Sequence, residues 1–109
     1  MKRRVFISQP MKGLSNEKIL EERELHKKAI LDLDIFSGDE IEFIDSMVNI
    51  NTSHASDIRN VPVAYLAKSI SLIATADLVY FADGWENTNG CVIEHDICMR
   101  YGILVEYSK

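Results

Sequence analysis

The chain has few of the features that disulfide frameworks and zinc sites require. Its 109 residues include two cysteines, Cys91 and Cys98. Seven positions apart on a helix, they would be separated by about two turns, roughly 10 Å, which is too far for a disulfide. We therefore expect reduced thiols that behave as small apolar side chains. Only His95 lies close to them in sequence, so no metal site is predicted.

Long apolar runs and an excess of positive charge are also missing. No stretch of about 18 apolar residues is present, which argues against a membrane partner or a membrane span. No charged segment followed by an apolar one marks a secretory signal, so we expect a cytoplasmic protein. The net charge of −5 argues against duplex nucleic acid as a partner. A composition with 47% apolar and 27% charged residues is typical of a globular protein, and residues 1–109 suffice for a single domain.

Strand-like and helix-like segments alternate along the chain. We predict strands over 4–9, 41–48, 78–82 and 103–107, helices over 16–33, 62–75 and 90–101, and a polar loop over 49–60. On the first helix, the expected apolar face contains Ile19, Leu20, Leu25, Ala29, Ile30 and Leu33. This alternation predicts the α/β class, with an open parallel sheet of four or five strands and helices on both faces, in the manner of Rossmann-like or flavodoxin-like folds.

Two polar loops follow the first and third predicted strands. The first loop is SQPMKG over 8–13, and the second begins with Asp83, Gly84 and Trp85. Because open α/β sheets bind ligands at the carboxyl ends of their strands, we predict that both loops contact a ligand. The flat indole of Trp85 suits stacking on a base or a sugar, although packing inside the protein is an alternative.

Two carboxylates are candidates for chemistry. Glu94 lies near the start of the last predicted helix, and we expect it in or just after the first turn. There it could simply interact with the helix dipole. Its apolar neighbours suggest instead a partly buried, reactive carboxylate. Asp77 precedes the third strand and is either a surface cap or turn residue or a group that orients a sugar. His95 and Asp96 are interpreted as surface or interface groups.

These motifs resemble the nucleoside 2-deoxyribosyltransferase-like superfamily. The resemblance rests on SQPMKG after the first strand, on ADLVYF over 76–81, and on GWENTNGCVIEH over 84–95. It extends over nearly the whole chain and is greatest to a compact group that is frequent in phages and bacteria. The motifs are specific as a pair and weak singly.

The resemblance implies cleavage or transfer at the N-glycosidic bond of a deoxynucleoside or its 5′-monophosphate. Glu94, four residues after Gly90, would be the catalytic nucleophile, and the catalytic Asp77 would orient the sugar or the glutamate. The residues implied or predicted to bind substrate are Ser8, Gln9, Met11, Gly13, Asp83, Gly84, Trp85, Thr88 and Gly90. No metal or organic cofactor would be needed, and a homodimer or larger homo-oligomer is expected.

Two features depart from the family pattern. The GWEN loop over 84–87 differs from the corresponding loop of the better-studied enzymes, and the second departure is at Thr88. Thr88 stands where the transferases usually carry an aspartate, and a hydroxyl is not an equivalent general acid. This departure leaves a second hypothesis open, a domain that binds a nucleotide without catalysis. A third hypothesis is an interaction module whose acidic surface engages a host protein.

Overall fold

A computed structural model of the chain describes residues 2–45 and 57–108. Its regular elements are β1 (Lys2–Ser8), α1 (Asn16–Leu33), β2 (Glu40–Phe43), α2 (Val61–Ile73), β3 (Leu78–Phe81), α3 (Asn89–Tyr101) and β4 (Val105–Tyr107). The predicted second strand, over 41–48, was too long, because β2 ends at Phe43 and residues 44 and 45 are irregular. The rest of that prediction, and most of the predicted loop over 49–60, lie outside the described residues.

The four strands form one parallel sheet in the order β2-β1-β3-β4. Val5 pairs with Leu78 and Ser8 with Phe81, so β1 and β3 end side by side. The predicted fold class is therefore confirmed, with four strands rather than five.

Side chains alternate between the two faces of the sheet. One face carries the buried cluster Val5, Ile7, Leu78 and Tyr80, covered by Ile30 of α1. The other face carries Phe6, Val79 and Phe81, covered by Ile73 of α2 and Cys98 of α3. Helices thus cover both faces, and the alternation sends Ser8 toward α3 and Gln9 toward α1.

The buried stripe of α1 differs from the predicted apolar face. Its buried members are Ile19, Arg23 and Ile30, at intervals of four and seven residues. Leu20 and Leu25 were expected to be buried, but they are 50% and 64% exposed. The helical period was correct, and the error arose because a buried arginine occupies the middle of the stripe.

The neighbouring strands β1 and β3 create a crevice at the carboxyl edge of the sheet. The helices that follow them, α1 and α3, lie on opposite faces, so the chain departs in opposite directions at this point. Such a topological switch point is the usual ligand site of an open α/β sheet. Within the described ranges, none of the helices combines the length and apolar character needed to cross a membrane.

Candidate functional site

A buried hydrogen bond joins the end of β1 to α3. The Ser8 hydroxyl donates to Oε1 of Glu94 at 2.7 Å, and both residues are less than 10% exposed. Ser8 is the last residue of β1, and Glu94 lies in the second turn of α3, just after the first turn, within the range expected from the sequence. This contact joins two residues that are 86 positions apart in the chain.

Burial dominates the electrostatics of Glu94. Desolvation raises the pKa of its carboxyl above the usual range, and the Ser8 hydrogen bond partly opposes that shift. In the described part of the chain, no lysine or arginine forms an ion pair with this carboxylate. A buried carboxylate without a cationic partner is costly to ionise, as in many catalytic sites.

Glu94 lines a cavity of about 260 Å³, which we call the glutamate cleft. Of the predicted binding residues it contains Ser8, Gln9, Met11, Thr88 and Gly90. The cleft lies between the β1–α1 loop, α2 and the start of α3. Of the cleft residues that the structure describes, Lys12 is the one that carries a positive charge. The first residues of α3 contribute main-chain N–H groups that have no partner within the helix.

The side chain of Gln9 is fixed from the opposite face of the sheet. Arg23 Nε donates to Gln9 Oε1 at 2.9 Å, and Gln9 Nε2 donates to the carbonyl of Ile19 at 3.2 Å. Burial lowers the pKa of Arg23, and the charge of Asp45 opposes that effect. Arg23 thereby ties the β1–α1 loop to α1 and holds the chain as it leaves Ser8.

Aromatic stacking anchors the loop between β3 and α3. Trp85 stacks on His95 with 4.2 Å between ring centroids, and it also contacts Phe81 and Tyr107. His95 Nε2 lies 2.6 Å from the Tyr107 hydroxyl. The indole is thus occupied by internal packing and lines neither of the cavities at this edge. His95, interpreted from sequence as a surface or interface group, is a half-buried member of this stack.

A second cavity of about 510 Å³ lies at the same edge, on the side of α1; we call it the α1 cavity. The predicted binding residues Asp83, Gly84 and Thr88 line it, together with Glu22 and His26 of α1. Thr88 lines both cavities. Although Thr88 is the N-cap residue of α3, its hydroxyl makes no capping hydrogen bond, so it remains available to a ligand.

Asp77 is the predicted site residue that the structure separates most clearly from Glu94. It precedes β3 at the amino edge of the sheet, where its carboxylate accepts a hydrogen bond from the backbone N–H of Arg4 at 2.8 Å. The length of β3 separates it from the cleft by roughly 16 Å. This geometry favours the interpretation of Asp77 as a turn residue. Gly13, with a φ of +81°, occupies a turn and lines neither cavity.

Sequence reasoning missed the contribution of α2 and of Cys91 to the glutamate cleft. Tyr65, Leu66 and Ser69 of α2 line the glutamate cleft, and Cys91 lies beside Ser8 and Glu94. The polar Ser69 within a largely apolar helix was a usable signal. Arg23 in the apolar stripe of α1 was another, because a charged residue is buried only when it has a specific partner.

The thiols remain unpaired, as the spacing predicted. Burial raises the pKa of Cys91 to about 11; the Ser8 hydrogen bond lowers this pKa, and the charge of Glu94 raises it. The thiol therefore stays protonated and is a weak nucleophile. Across the described ranges, no group of three histidine, cysteine, aspartate or glutamate side chains is arranged to hold a metal ion.

Comparison with known proteins gives one match. A family model described as a domain of unknown function, DUF4406, matches residues 3–107. Neither the curated proteins nor the solved structures contain a match to this chain.

Proposed function

The chain belongs to the DUF4406 family, a domain of unknown function, and from its glutamate cleft we propose that it cleaves or transfers the N-glycosidic bond of a nucleoside or nucleoside 5′-monophosphate. Glu94 is the nucleophile in this proposal. The observation that carries it is a buried carboxylate that faces a cavity, is held by a serine hydroxyl at 2.7 Å, and has no cationic partner in the described part of the chain.

The chemistry needs two steps. A carboxylate oxygen of Glu94 bonds to the anomeric carbon while the bond from that carbon to the base nitrogen breaks, and the electron pair leaves with the base. Water or another base then attacks the same carbon, and the ester bond to Glu94 breaks. Before attack, the negative charge of Glu94 also stabilises the developing oxocarbenium ion.

Two groups are candidates for assisting protonation of the departing base. The Thr88 hydroxyl is adjacent to both cavities and is suited to hold a water molecule, and Asp83 lines the neighbouring α1 cavity. General acid assistance is typically worth about 10²–10⁴ in rate. Because Asp77 lies at the opposite edge of the sheet, we do not assign it this role.

The lining of the glutamate cleft also has features that suit a 5′-phosphate. Lys12 supplies a positive charge, and the first turn of α3, at Asn89, Gly90 and Cys91, presents main-chain N–H groups. Both features favour an anion. Neither a metal nor an organic cofactor enters this mechanism.

Incubation with a panel of nucleosides and nucleoside 5′-monophosphates, followed by chromatography for free base, tests the proposal. We expect base release by the unaltered protein and a loss on the order of 10³-fold or more in Glu94→Gln. Glu86→Gln is the matched control, because Glu86 is exposed and lines neither cavity. No release above that of Glu94→Gln, with any substrate, contradicts the proposal.

A non-catalytic nucleotide-binding domain is the second candidate. It is favoured by Thr88, since a hydroxyl replaces the carboxylic acid expected in the transferases, and by the raised pKa of Glu94, since a protonated carboxyl is no nucleophile. In that case a nucleotide binds equally well to Glu94→Gln, and no product forms at any pH.

We also propose that the protein self-associates, as its resemblance to the deoxyribosyltransferases implies. Support comes from α2, where Val61, Val63 and Tyr65 are 42–57% exposed on a helix with Lys68 as its one charged residue. Tyr65 also lines the cleft. Sedimentation velocity should give a dimer or larger species that Val63→Glu dissociates, and a monomer at every concentration contradicts this proposal.

A further inference from the structure

The α1 cavity is larger than the glutamate cleft, and Glu94 does not line it. It holds about 510 Å³ against 260 Å³. Small-molecule sites usually enclose about 300–1,000 Å³, so the cleft alone is below the range for a nucleotide. The two spaces adjoin at Thr88, and consecutive residues of one loop, Pro10 and Met11, line the cavity and the cleft respectively.

The lining of the α1 cavity is acidic and partly apolar. Among the described residues that line it, the charged side chains are the carboxylates of Glu22 and Asp83, and none is a lysine or an arginine. Burial lowers the pKa of His26; the charge of Glu22 raises this pKa, and the charge of Arg23 lowers it. Its imidazole is therefore mainly neutral at pH 7. Such a cavity repels phosphate and favours a ligand whose edge carries N–H donors.

The apolar part of the lining suits a flat ring. Aliphatic surface comes from Pro10, Leu14 and Leu25. The side chains of Leu14 and Leu25 are exposed. A heterocycle with an amino group combines both requirements, because its faces are apolar and its edge donates hydrogen bonds. Asn87 adds an amide that can both donate and accept at that edge.

The direction of nucleophilic attack by Glu94 also places the base in the α1 cavity. A nucleophile and its leaving group lie on opposite sides of the carbon under attack. Glu94 approaches from the α3 side of the strand ends, whereas the α1 cavity lies on the other side of those ends, past Thr88. A pentose seated at Glu94 therefore directs its base toward the α1 cavity.

Resting on the proposed function, we propose that the α1 cavity is the nucleobase subsite, and that Asp83 and Glu22 select bases that carry an exocyclic amino group. The carboxylates accept hydrogen bonds from that group. A carbonyl at the same ring position directs its lone pairs at the carboxylates and is repelled. Adenine and hypoxanthine differ at this ring position and are nearly equal in size, so they form the discriminating pair.

Calorimetric titration of the full chain with free adenine and free hypoxanthine tests this subsite without requiring turnover. We expect adenine to bind at least about tenfold more tightly, which is the effect of one well-formed hydrogen bond. Asp83→Asn and Glu22→Gln should each reduce that preference to about twofold or less. Glu21→Gln, an exposed neighbour on α1 outside the cavity, is the matched control and should retain it.

A second measurement locates the base and separates this inference from the proposed function. Adenine should shift the backbone amide resonances of Gly84 and Asn87 more than those of Tyr65 and Ser69, both in the unaltered protein and in Glu94→Gln. If adenine binds in this way while no substrate is cleaved, the subsite stands and the glycosidic activity fails. Equal affinity for the two bases, or a preference that Asp83→Asn leaves intact, overturns the subsite whatever the activity.

Discussion

The reactivity of the cleft depends on how the protein sets the pKa of a single carboxyl. Burial raises the pKa of Glu94, and the hydrogen bond from Ser8 lowers it. Since only the ionised carboxylate attacks the anomeric carbon, activity should rise with pH through the pKa of this group. Ser8 therefore acts as a positioning residue whose influence is visible in a pH profile.

Replacing Ser8 with alanine should move the acidic limb of the rate profile to higher pH. Removing the hydroxyl removes the hydrogen bond that lowers the pKa of Glu94, so this pKa rises further. The lost buried hydrogen bond should also cost about 1–3 kcal/mol of stability. Rates measured from pH 4 to pH 9 test the shift. Ser69→Ala, in the same cleft, is the control, and an unmoved limb in Ser8→Ala would argue against this coupling.

At Asp77 we expect a structural effect without a catalytic one. Asp77→Ala removes the acceptor for the Arg4 N–H, which should cost less than about 1.5 kcal/mol, because the bond is exposed. Asp77→Asn keeps an acceptor oxygen and should recover most of that loss. Turnover per folded molecule should be unchanged in both variants. A tenfold or larger fall in turnover with normal stability would restore the catalytic role that the resemblance implied.

The roles of some single residues could be predicted from the sequence. Glu94 was identifiable because a carboxylate stands among apolar residues after a polar loop, and the alternation along β1 explains why Ser8 faces it. The structural partner of Asp77 was not readable, because a hydrogen bond between residues 73 positions apart depends on strand order. The role of Trp85 was ambiguous for the same reason, since its neighbours come from α3 and β4.

Among the elements, α3 has a glycine near each end, and the one near its start lines the cleft. Gly90 is the second residue of α3, and Gly102 follows the last residue of the helix as its C-cap. The φ of +69° at Gly102 is the left-handed conformation typical of a helix C-terminus. A Cβ at either glycine would meet no atom within 4 Å. Both positions therefore have room for a methyl group, and they differ in backbone conformation.

Alanine at these two glycines should have opposite effects on stability. Gly102→Ala should cost about 1 kcal/mol, because an L-residue is strained at positive φ. Gly90→Ala should be neutral or stabilising by up to about 1 kcal/mol, since alanine favours the helix. Chemical denaturation measures both. A destabilising Gly90→Ala would contradict the helix start that the structure gives.

Gly90→Ala also probes the cleft, because its new methyl group projects into space that a ligand would need. Stability should be retained while nucleotide binding weakens, and Gly102→Ala serves as the control with intact binding. Unchanged binding in Gly90→Ala would indicate that no ligand approaches this backbone closely.

Element boundaries followed from the sequence where local chemistry determines them. α1 begins and ends where Ser15 and the predicted period place it, because Ser15 accepts a hydrogen bond from the Lys18 N–H at the helix start. The packing of that helix was less predictable. Arg23 is buried because Gln9, from another element, accepts its hydrogen bond, and no local pattern contains that information.

For the whole molecule, the buried carboxylate should appear in the pH dependence of unfolding. The folded pKa of Glu94 is raised above its unfolded value of about 4.3, so stability is greatest below that pH and is lost as pH rises through the folded pKa. Glu94→Gln cannot ionise. It should match the unaltered protein near pH 4 and become the more stable of the two by pH 8.

Thermal or urea unfolding at both pH values measures this difference, and Glu86→Gln should show none of it. A constant difference between Glu94→Gln and the unaltered protein across this range would contradict a buried, desolvated carboxyl.

The fold itself was predictable from the alternation of elements, because right-handed crossovers leave few arrangements for four parallel strands. The division of the ligand edge into two cavities was not, because it depends on how the β1–α1 loop lies against Thr88.

Mass spectrometry of the intact protein, quenched in acid during turnover of a deoxynucleoside 5′-monophosphate, tests the central claim most directly. The account predicts a mass increase equal to one deoxyribosyl phosphate, located on the peptide that contains Glu94 and absent from Glu94→Gln. Base release without any such adduct, or an adduct that persists in Glu94→Gln, would contradict nucleophilic catalysis by this residue.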